Sequence, residues 1–259
     1  MSELVFQVPR RLRRGGLAND EQQSVESGVE LLSLMASSLG LEDLGNSHVL
    51  DMGCGCKFTQ AILDRSLPIG HYTGIDVYAE LIEYLQTNVA DSRFDFHRMN
   101  THNDMYNLDG EPLTGTTKLP VAEGSFDVIC LFSVFTHLAP DDYVSMLKML
   151  RQYVKPDGQL FFSVFINELT TGGHGHMDSF GKAIMSADEA VLSKHKESFK
   201  KVAEAGIPDF FDLVPTHPLK VAMYSREYAL KLLDDTGWKL DSLNDPLEKI
   251  QHHMVCSPI

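Results

Sequence analysis

The sequence predicts an α/β protein whose mostly parallel sheet carries helices on both faces. Short apolar runs alternate with stretches of helical periodicity from residue 21 to residue 166, which is the pattern of a parallel sheet with crossover helices. The run from Val128 to Phe132 is almost uninterrupted by polar residues, as in a central strand buried on both faces. Two further apolar runs near the end of the chain extend the predicted sheet.

The individual elements follow from periodicity and from capping residues. Apolar residues at spacings of four and three predict a helix over residues 21–39, with Asn19 or Asp20 as its N-cap and Gly40 at its end. The elements expected after it are strand 48–52, a helix to about residue 66, strand 72–76, helix 79–89, a short strand around Phe94 and Phe96, a loop over 99–124, strand 128–132, helix 141–153, a turn at 155–158, strand 160–166, helix 225–236 and strands 238–243 and 251–256.

The composition limits the classes of function. The 259 residues carry 36 acidic and 22 basic side chains, a formal net charge of −14. Such a charge disfavours nucleic acid and anionic membrane surfaces as partners. The sequence shows neither a secretory signal pattern nor an apolar run long enough to span a bilayer. The cysteines follow no disulfide or zinc spacing, so a reducing cytoplasm is the expected compartment.

We expect a single domain over residues 1–259 with an N-terminal arm, residues 1–20, and an insertion, residues 167–222. The first 14 residues carry a net charge of +3, and charge alone leaves open whether this arm is a solvated terminus. The insertion leaves the end of a predicted parallel strand, where ligands bind, so we expect it to cap the substrate. A small satellite core is the alternative. The residues expected to wall an apolar acceptor pocket under this cap are Phe180, Met185, Phe199, Phe210 and Phe211.

The strongest functional signal lies where the first predicted strand ends. Asp51 closes the strand, and Gly53 and Gly55 follow it, which permits a tight turn and a close ligand approach before the next helix. Asp76 ends the next strand, where a carboxylate can accept both hydroxyls of a ribose. A dinucleotide site would need a third glycine at Phe58, and Asp51 would repel a pyrophosphate. The charges instead favour S-adenosylmethionine, which carries an ammonium, a sulfonium and a ribose.

At these residues the chain resembles the class I S-adenosylmethionine-dependent methyltransferases, of a bacterial small-molecule type, over most of residues 8–257. The matching segments are Val8–Arg13, Asp51–Gly55, Asp76, Asn100–Asn107, Leu119–Pro120, Gly124–Ile129, Phe132–His137 and Val154–Gly158. The resemblance implies a Rossmann-like, doubly wound sheet of seven strands with an antiparallel last strand. It also makes the arm a cover for the cofactor or the substrate.

The resemblance assigns a set of cofactor-binding residues. They are Arg13, Asp51, Gly53, Cys54, Gly55, Asp76, Val77, Asn100, Thr101, Phe132 and Ser133. Two positions depart from the family pattern. Lys57 replaces the third glycine of the first motif, so its side chain must point away from the cofactor or narrow the site. The amide of Asn100 replaces an acid that contacts the adenine, and its oxygen can still accept a hydrogen bond.

The candidate catalytic residues are His137 and Tyr106. Methyl transfer from a sulfonium is an in-line displacement in which the protein supplies alignment and a dry pocket. A general base contributes where the acceptor is protonated. The resemblance places His137 beside the transferred methyl and Tyr106 at the mouth of the same site. Packing or anchoring roles are the alternatives for both residues.

No metal site is expected. His174 and His176 lie two residues apart in a glycine-rich stretch, without a third convergent ligand nearby, so substrate contact or a solvated loop are the other interpretations. His252 and His253 are adjacent on a predicted strand and point to opposite faces. Cys54 and Cys56 are expected to line the glycine turn.

Three functions are consistent with these residues. A small-molecule methyltransferase that converts S-adenosylmethionine to S-adenosylhomocysteine is favoured. A protein or RNA methyltransferase is disfavoured because Phe132–Phe135 stands where enzymes that methylate bases and amides carry an Asn-Pro-Pro-Tyr-type motif. A non-catalytic cofactor-binding module is motivated by Lys57 and Asn100. The acceptor, its accepting atom and the oligomeric state stay open.

Overall fold

The structure is a computed structural model of the chain, and it describes residues 4–14, 17–103, 105–179, 208–213 and 219–259. The chain divides into two compact units. The first unit comprises Met1–Pro112, Lys118–Phe132 and Gln152–Phe161. The second unit comprises Leu113–Thr117, Ser133–Arg151 and Phe162–Ile259.

The first unit is built on parallel strands. They are β1 (Leu44–Met52), β2 (Ile69–Asp76), β3 (Phe94–Arg98), β4 (Phe126–Leu131) and the first part of β5 (Val154–Ile166). Their hydrogen-bonded order is β3-β2-β1-β4-β5, with β1 parallel to both β2 and β4. In this register Asp51 is opposite Gly74 on one side and Cys130 on the other. The predicted site residue therefore lies on a central strand, flanked by backbone on both sides.

Three helices of the first unit support these strands. They are α1 (Glu21–Ser38), α2 (Lys57–Arg65) and α3 (Ala79–Asn88). The carboxylate of Asp20 caps α1 by accepting a hydrogen bond from the Gln23 amide at 2.9 Å. Helices α1 and α2 pack closely at Gly28, where an added Cβ would lie 2.8 Å from the Ala61 Cβ. This contact leaves no room for a larger residue on α1.

The second unit holds the remaining elements. They are α4 (Pro140–Leu150), the end of β5, β6 (Phe210–Asp212), β7 (Ala222–Tyr224), α5 (Arg226–Lys231), β8 (Trp238–Asn244) and β9 (His252–Pro258). Strand β7 is parallel to β5 and antiparallel to β6, while β8 and β9 form an antiparallel pair beside β5. The Trp238 indole donates a hydrogen bond to the Leu147 carbonyl at 2.9 Å, which ties this pair to α4.

The fold class is the predicted one, a mostly parallel α/β sheet with antiparallel last strands. Among the described residues the sheet has nine strands rather than seven, because β6 forms within the predicted insertion and β7 forms at its end. Residues 155–158 were expected as a turn and instead belong to β5, where Gly158 lies so close to β4 that an added Cβ would be 2.8 Å from the Phe126 carbonyl oxygen. Helix α5 ends at Lys231 rather than at residue 236, because tighter turns and positive φ angles at Asp235 and Gly237 follow it.

No helix in the described ranges is both long enough and apolar enough to cross a membrane.

Candidate active site

Asp51 lies buried at the carboxyl end of β1. Its carboxylate accepts a hydrogen bond from the Tyr72 hydroxyl at 2.5 Å, and the Cys130 thiol also bonds to it. Burial is the main cause that raises the pKa of Asp51 to about 7, and the charge of Asp76 adds to it. The two hydrogen-bond donors act in the opposite direction. The site therefore contains an acid that changes its charge near neutral pH.

A glycine turn joins β1 to α2. Gly53 and Gly55 adopt φ angles of +75° and +52°, a region that glycine enters without steric cost. The amides of Gly53 and the buried Cys54 both donate to the carbonyl of Ile75 on β2, at 2.7 and 3.1 Å. The turn is thereby held against the end of the neighbouring strand, as the sequence pattern predicts.

Asp76 ends β2 and contacts the glycine turn directly. The Gly55 amide donates to Oδ2 and the Tyr78 amide donates to Oδ1, each at 3.0 Å. Burial raises the pKa of Asp76, while these amides, the amide of Val77 and the charge of Arg14 act in the opposite direction. Two acids thus lie at the ends of adjacent strands, with the glycine turn bonded to the second.

The N-terminal arm is docked on the helices of the first unit. Leu12 is completely buried. The Gln60 side chain of α2 donates to the Phe6 carbonyl at 3.2 Å, and the Tyr84 hydroxyl of α3 donates to the Gln7 carbonyl at 2.8 Å. These contacts exclude a solvated terminus for residues 6–12.

Arg13 is the residue of the arm that lies beside the glycine turn. Its guanidinium is 3.4 Å from a carboxylate oxygen of Glu21, and its charge opposes the effect of burial on Cys56, whose pKa is raised to about 12. The Arg13 Nε is buried and has no hydrogen-bond partner among the described residues. A cation with an unused donor beside the glycine turn is suited to an anionic ligand group.

Arg14 was not singled out from the sequence. Its guanidinium lies 4.4 Å from the ring centre of Tyr78 and 5.4 Å from that of Tyr106. The two rings are 5.9 Å apart. The only sequence signal was a fourth arginine directly after Arg13, because the contacts join segments far apart in the chain.

Asn100 and Thr101 follow β3 in a loop that is closed on itself. The Asn100 side-chain oxygen accepts from Asn107 Nδ2 at 3.2 Å and from Arg98 Nη2 at 3.3 Å. Asn107 Nδ2 also donates to the Thr101 carbonyl at 2.8 Å, and Thr101 is buried. The oxygen expected to accept from an adenine is therefore already engaged in holding this loop.

Lys57 points toward α1. Its ammonium donates to the Ser27 hydroxyl at 3.4 Å, and its Cγ lies 3.1 Å from the position that a Cβ on Gly28 would take. The sequence left open whether the Lys57 side chain points away from the cofactor or narrows the site. In the structure the side chain points away from the glycine turn.

Phe132, the last site residue of the first unit, packs in an aromatic group. Its ring centre is 4.9 Å from that of Phe58 and 5.0 Å from that of Phe161.

In the second unit, Ser133 has a φ of +57° and donates its amide to the Ser163 hydroxyl at 2.9 Å. The Gln251 amide donates to the Ser133 hydroxyl at 2.8 Å. His137 Nδ1 lies 3.2 Å from the Leu219 carbonyl, and burial lowers its pKa. The backbone of Lys220 also hydrogen-bonds to this ring, and both bonds favour the protonated form against the effect of burial.

The described histidines of the second unit have different surroundings. The His176 ring packs 4.5 Å from the ring of Phe165. Burial lowers the pKa of His253 to about 4. Within the described residues, the ligand-type atoms that lie within 4.8 Å of one another belong to Glu168, Asp245 and His252, and His174 and His176 are not among them.

Arg226 already neutralises the acids of this set. Its guanidinium forms a bidentate pair with Glu168 and lies 3.4 Å from Asp245. His252 Nε2 is 2.9 Å from Glu168. The arrangement is an ion-pair network. The cysteines are free and buried.

The described part of the predicted insertion forms a small apolar core. Phe211 packs against Phe165, Leu213 and Met223. The Phe210 ring centre is 5.2 Å from that of Tyr224. Phe180, Met185 and Phe199 lie outside the described residues. The two described aromatics thus pack against side chains of the second unit.

The sheet and the site define the class of protein. Acids end two adjacent parallel strands, and a glycine turn leads from the first of them into a helix, which is the arrangement of a Rossmann-like nucleoside-binding fold. A family model described as a methyltransferase domain matches residues 21–243. The chain therefore belongs to the methyltransferase-domain family and is a class I S-adenosylmethionine-dependent methyltransferase.

Solved structures share this fold at low sequence identity. The PH0226 protein from Pyrococcus horikoshii OT3 has a TM-score of 0.55 and 14% identity, over 98% of this chain and 100% of that one. CalO1, a methyltransferase in calicheamicin biosynthesis with bound SAH, has a TM-score of 0.56 and 14% identity, over 93% and 57%. The Burkholderia thailandensis 1,6-didemethyltoxoflavin-N1-methyltransferase has a TM-score of 0.53 and 15% identity, over 94% and 81%.

Proposed function

We propose that the protein transfers a methyl group from S-adenosylmethionine to a small-molecule acceptor by in-line displacement. The observation that carries this proposal is the pair of carboxylates at Asp51 and Asp76, because an acid beside the glycine turn suits a cationic ligand and repels a phosphate. The family membership supports the reaction type. Support for a small acceptor comes from the toxoflavin-type neighbour, whose structure contains bound 1,6-didemethyltoxoflavin.

The residues of the first unit fit this cofactor. Asp76 would accept the ribose hydroxyls, and Asp51 would face the ammonium. Arg13 would bind the carboxylate through the buried Nε that lacks a partner within the described chain. Gly53 and Gly55 leave the backbone open to close approach. The remaining proposed contacts from this unit are Cys54, Val77, Asn100, Thr101 and Phe132, and Ser133 is the proposed contact from the second unit.

The bound cofactor supplies a methyl group activated by its sulfonium. We propose His137 as the general base for an acceptor that carries a proton. A lowered pKa keeps its imidazole neutral near pH 7, and the Leu219 carbonyl orients the ring. Burial raises the pKa of Tyr106, so this phenol keeps its proton and serves better as a lining group than as a base. For an identified acceptor, His137→Gln should lower kcat and leave the KM for S-adenosylmethionine unchanged.

Calorimetry with S-adenosylmethionine tests the cofactor site. The intact protein should bind it, and Asp76→Ala should abolish binding, because the ribose hydroxyls lose their acceptor. Asp95→Ala is the matched control, since Asp95 lies on neighbouring β3 and pairs at the surface with His71 at 2.8 Å. Absence of binding by the intact protein would refute the proposal.

A metabolite extract incubated with methyl-labelled cofactor identifies the acceptor class. We expect a small molecule to gain the label. Label in protein or RNA would instead support the disfavoured alternative. We also propose that residues 167–222 select this acceptor, so replacing them with the corresponding segment of a related enzyme should change the labelled product while cofactor binding survives. An unchanged product would contradict that role.

A further inference from the structure

The four arginines of the arm have different surroundings. Three of them pair with polar side chains of the first unit. Arg10 donates to the Asn19 side chain at 2.5 Å, Arg11 lies 2.8 Å from Glu80, and Arg13 lies 3.4 Å from Glu21. Arg14 instead lies against the rings of Tyr78 and Tyr106, which makes it the arginine with an aromatic environment.

The position of Arg14 is tied to the ribose-binding acid. Tyr78 lies two residues after Asp76, and its amide donates to that carboxylate at 3.0 Å. The charge of Arg14 also opposes the rise in the pKa of Asp76 that burial causes. The guanidinium is anchored from the arm side, where its Nη1 donates to the Arg11 carbonyl at 2.5 Å. A flat cation is therefore held by its own segment beside the acid that would bind the ribose.

A purine attached to that ribose would be near these groups. Guanidinium planes and aromatic rings both stack on nucleic bases, and such stacking accepts any flat π system without reading its hydrogen-bonding edge. The Asn100 oxygen, the expected polar contact for the adenine, is engaged with Arg98 and Asn107. Base recognition in this chain thus has a stacking surface and a reduced contact at the hydrogen-bonding edge of the base.

From this arrangement we propose that Arg14 is a cofactor-binding residue that stacks on the adenine, together with Tyr78 and Tyr106. The proposal rests on the proposed function. It assigns the two neighbouring arginines to opposite ends of the ligand, with Arg13 at the carboxylate of the amino-acid part and Arg14 at the base.

Binding of two ligands separates these roles. S-adenosylhomocysteine has both ends, whereas adenosine lacks the amino-acid part. Arg14→Ala should weaken the affinity for both ligands by the same factor, about tenfold for the loss of one stacking group. Arg13→Ala should weaken the affinity for S-adenosylhomocysteine and leave that for adenosine unchanged. Arg11→Ala, which removes an exposed ion pair, should change neither.

Further variants test whether the planar shape of the Arg14 guanidinium or its charge is responsible for the affinity for adenosine. Arg14→Lys keeps the charge and loses the plane, so its affinity for adenosine should stay close to that of Arg14→Ala. Tyr106→Phe should retain the affinity, and Tyr106→Ala should lose it. Full affinity in Arg14→Lys would overturn stacking in favour of a purely electrostatic role.

The proposal is overturned if Arg14→Ala binds adenosine as tightly as the intact protein, or more tightly. The second result would show that Arg14 obstructs the site. These outcomes are distinct from failure of the proposed function, in which the intact protein binds neither S-adenosylmethionine nor S-adenosylhomocysteine. Thermal unfolding of each variant verifies that its substitution leaves the fold intact.

Discussion

The Tyr72 hydroxyl donates a hydrogen bond to the Asp51 carboxylate at 2.5 Å, with both side chains withdrawn from solvent. The two residues belong to adjacent strands, β2 and β1. The bond favours the ionised carboxylate, and burial favours the protonated form more strongly, which raises the pKa of Asp51 to about 7. This residue pair therefore makes the stability of the protein depend on pH, and we expect the cofactor affinity to depend on the same charge.

Cofactor affinity should increase as the pH rises through about 7. The ionised form of Asp51 attracts the cofactor's ammonium, and below its pKa the proton must first be released, which costs about tenfold in affinity per pH unit. Calorimetry with S-adenosylhomocysteine between about pH 6 and about pH 8 measures this dependence. Tyr72→Phe removes a donor to the carboxylate and should move the midpoint to higher pH. A flat profile in the intact protein would contradict this assignment.

Asp51→Asn should stabilise the unliganded protein while it weakens cofactor binding. The pKa of Asp51 is higher in the folded state than in the unfolded state, so the stability it contributes is present at low pH and is lost as the pH rises through about 7. The amide is neutral at every pH, and above pH 7 the gain should approach about 4 kcal/mol, because the pKa rises from 3.8 to about 7 and each pKa unit corresponds to about 1.4 kcal/mol. Urea unfolding at two pH values measures it. A destabilised Asp51→Asn protein would show that the hydrogen bond from Tyr72 outweighs burial.

The free energy of unfolding should also depend on pH through His48 and His71, which lie away from the candidate site. Their ring centres lie 4.7 Å apart on paired strands β1 and β2. Burial lowers the pKa of His48, and the charge of His71 adds to this. Stability is then complete above about pH 6.5 and decreases as the pH falls through that value. His48→Gln should reduce this loss in urea unfolding at acidic pH. His97→Gln, on the edge strand β3, is the control and should leave it unchanged.

Local patterns in the sequence predict the strands and helices of the first unit closely. Helix α1 and strands β1 to β4 lie within a few residues of their expected positions, because apolar periodicity and the glycine turn are local signals. Strands β6 and β7 were missed because each has three residues, too few to show a period. The partners of Asp51 and the contacts of Arg14 come from distant segments, and no local pattern encodes such pairs.

Gly110→Ala should damage the loop that carries Asn100 and Thr101. A Cβ at this position would lie 2.4 Å from the Thr101 carbonyl oxygen and 2.5 Å from Asn107 Nδ2, so backbone and a bonded side chain must both move. We expect a loss of about 2 kcal/mol in stability and weaker adenosine binding. Gly115→Ala is the control for binding: its Cβ would lie 2.9 Å from the Lys148 Cβ, so it should also lower stability but should leave the affinity for adenosine unchanged. Unchanged adenosine affinity in Gly110→Ala would exclude this loop from the cofactor site.

Lys57→Gly restores the third glycine of the family pattern and should nevertheless give no tighter cofactor binding. The Lys57 side chain already points toward α1, where its ammonium bonds to Ser27 at 3.4 Å. The glycine should cost about 1 kcal/mol of stability, because it begins α2 with a weak helix former and loses the packing of the lysine stem. Lys57→Ala keeps helix propensity, so comparing the two variants by urea unfolding and by calorimetry with S-adenosylhomocysteine separates backbone from side-chain effects. A tenfold gain in affinity for either variant would show that Lys57 narrows the site.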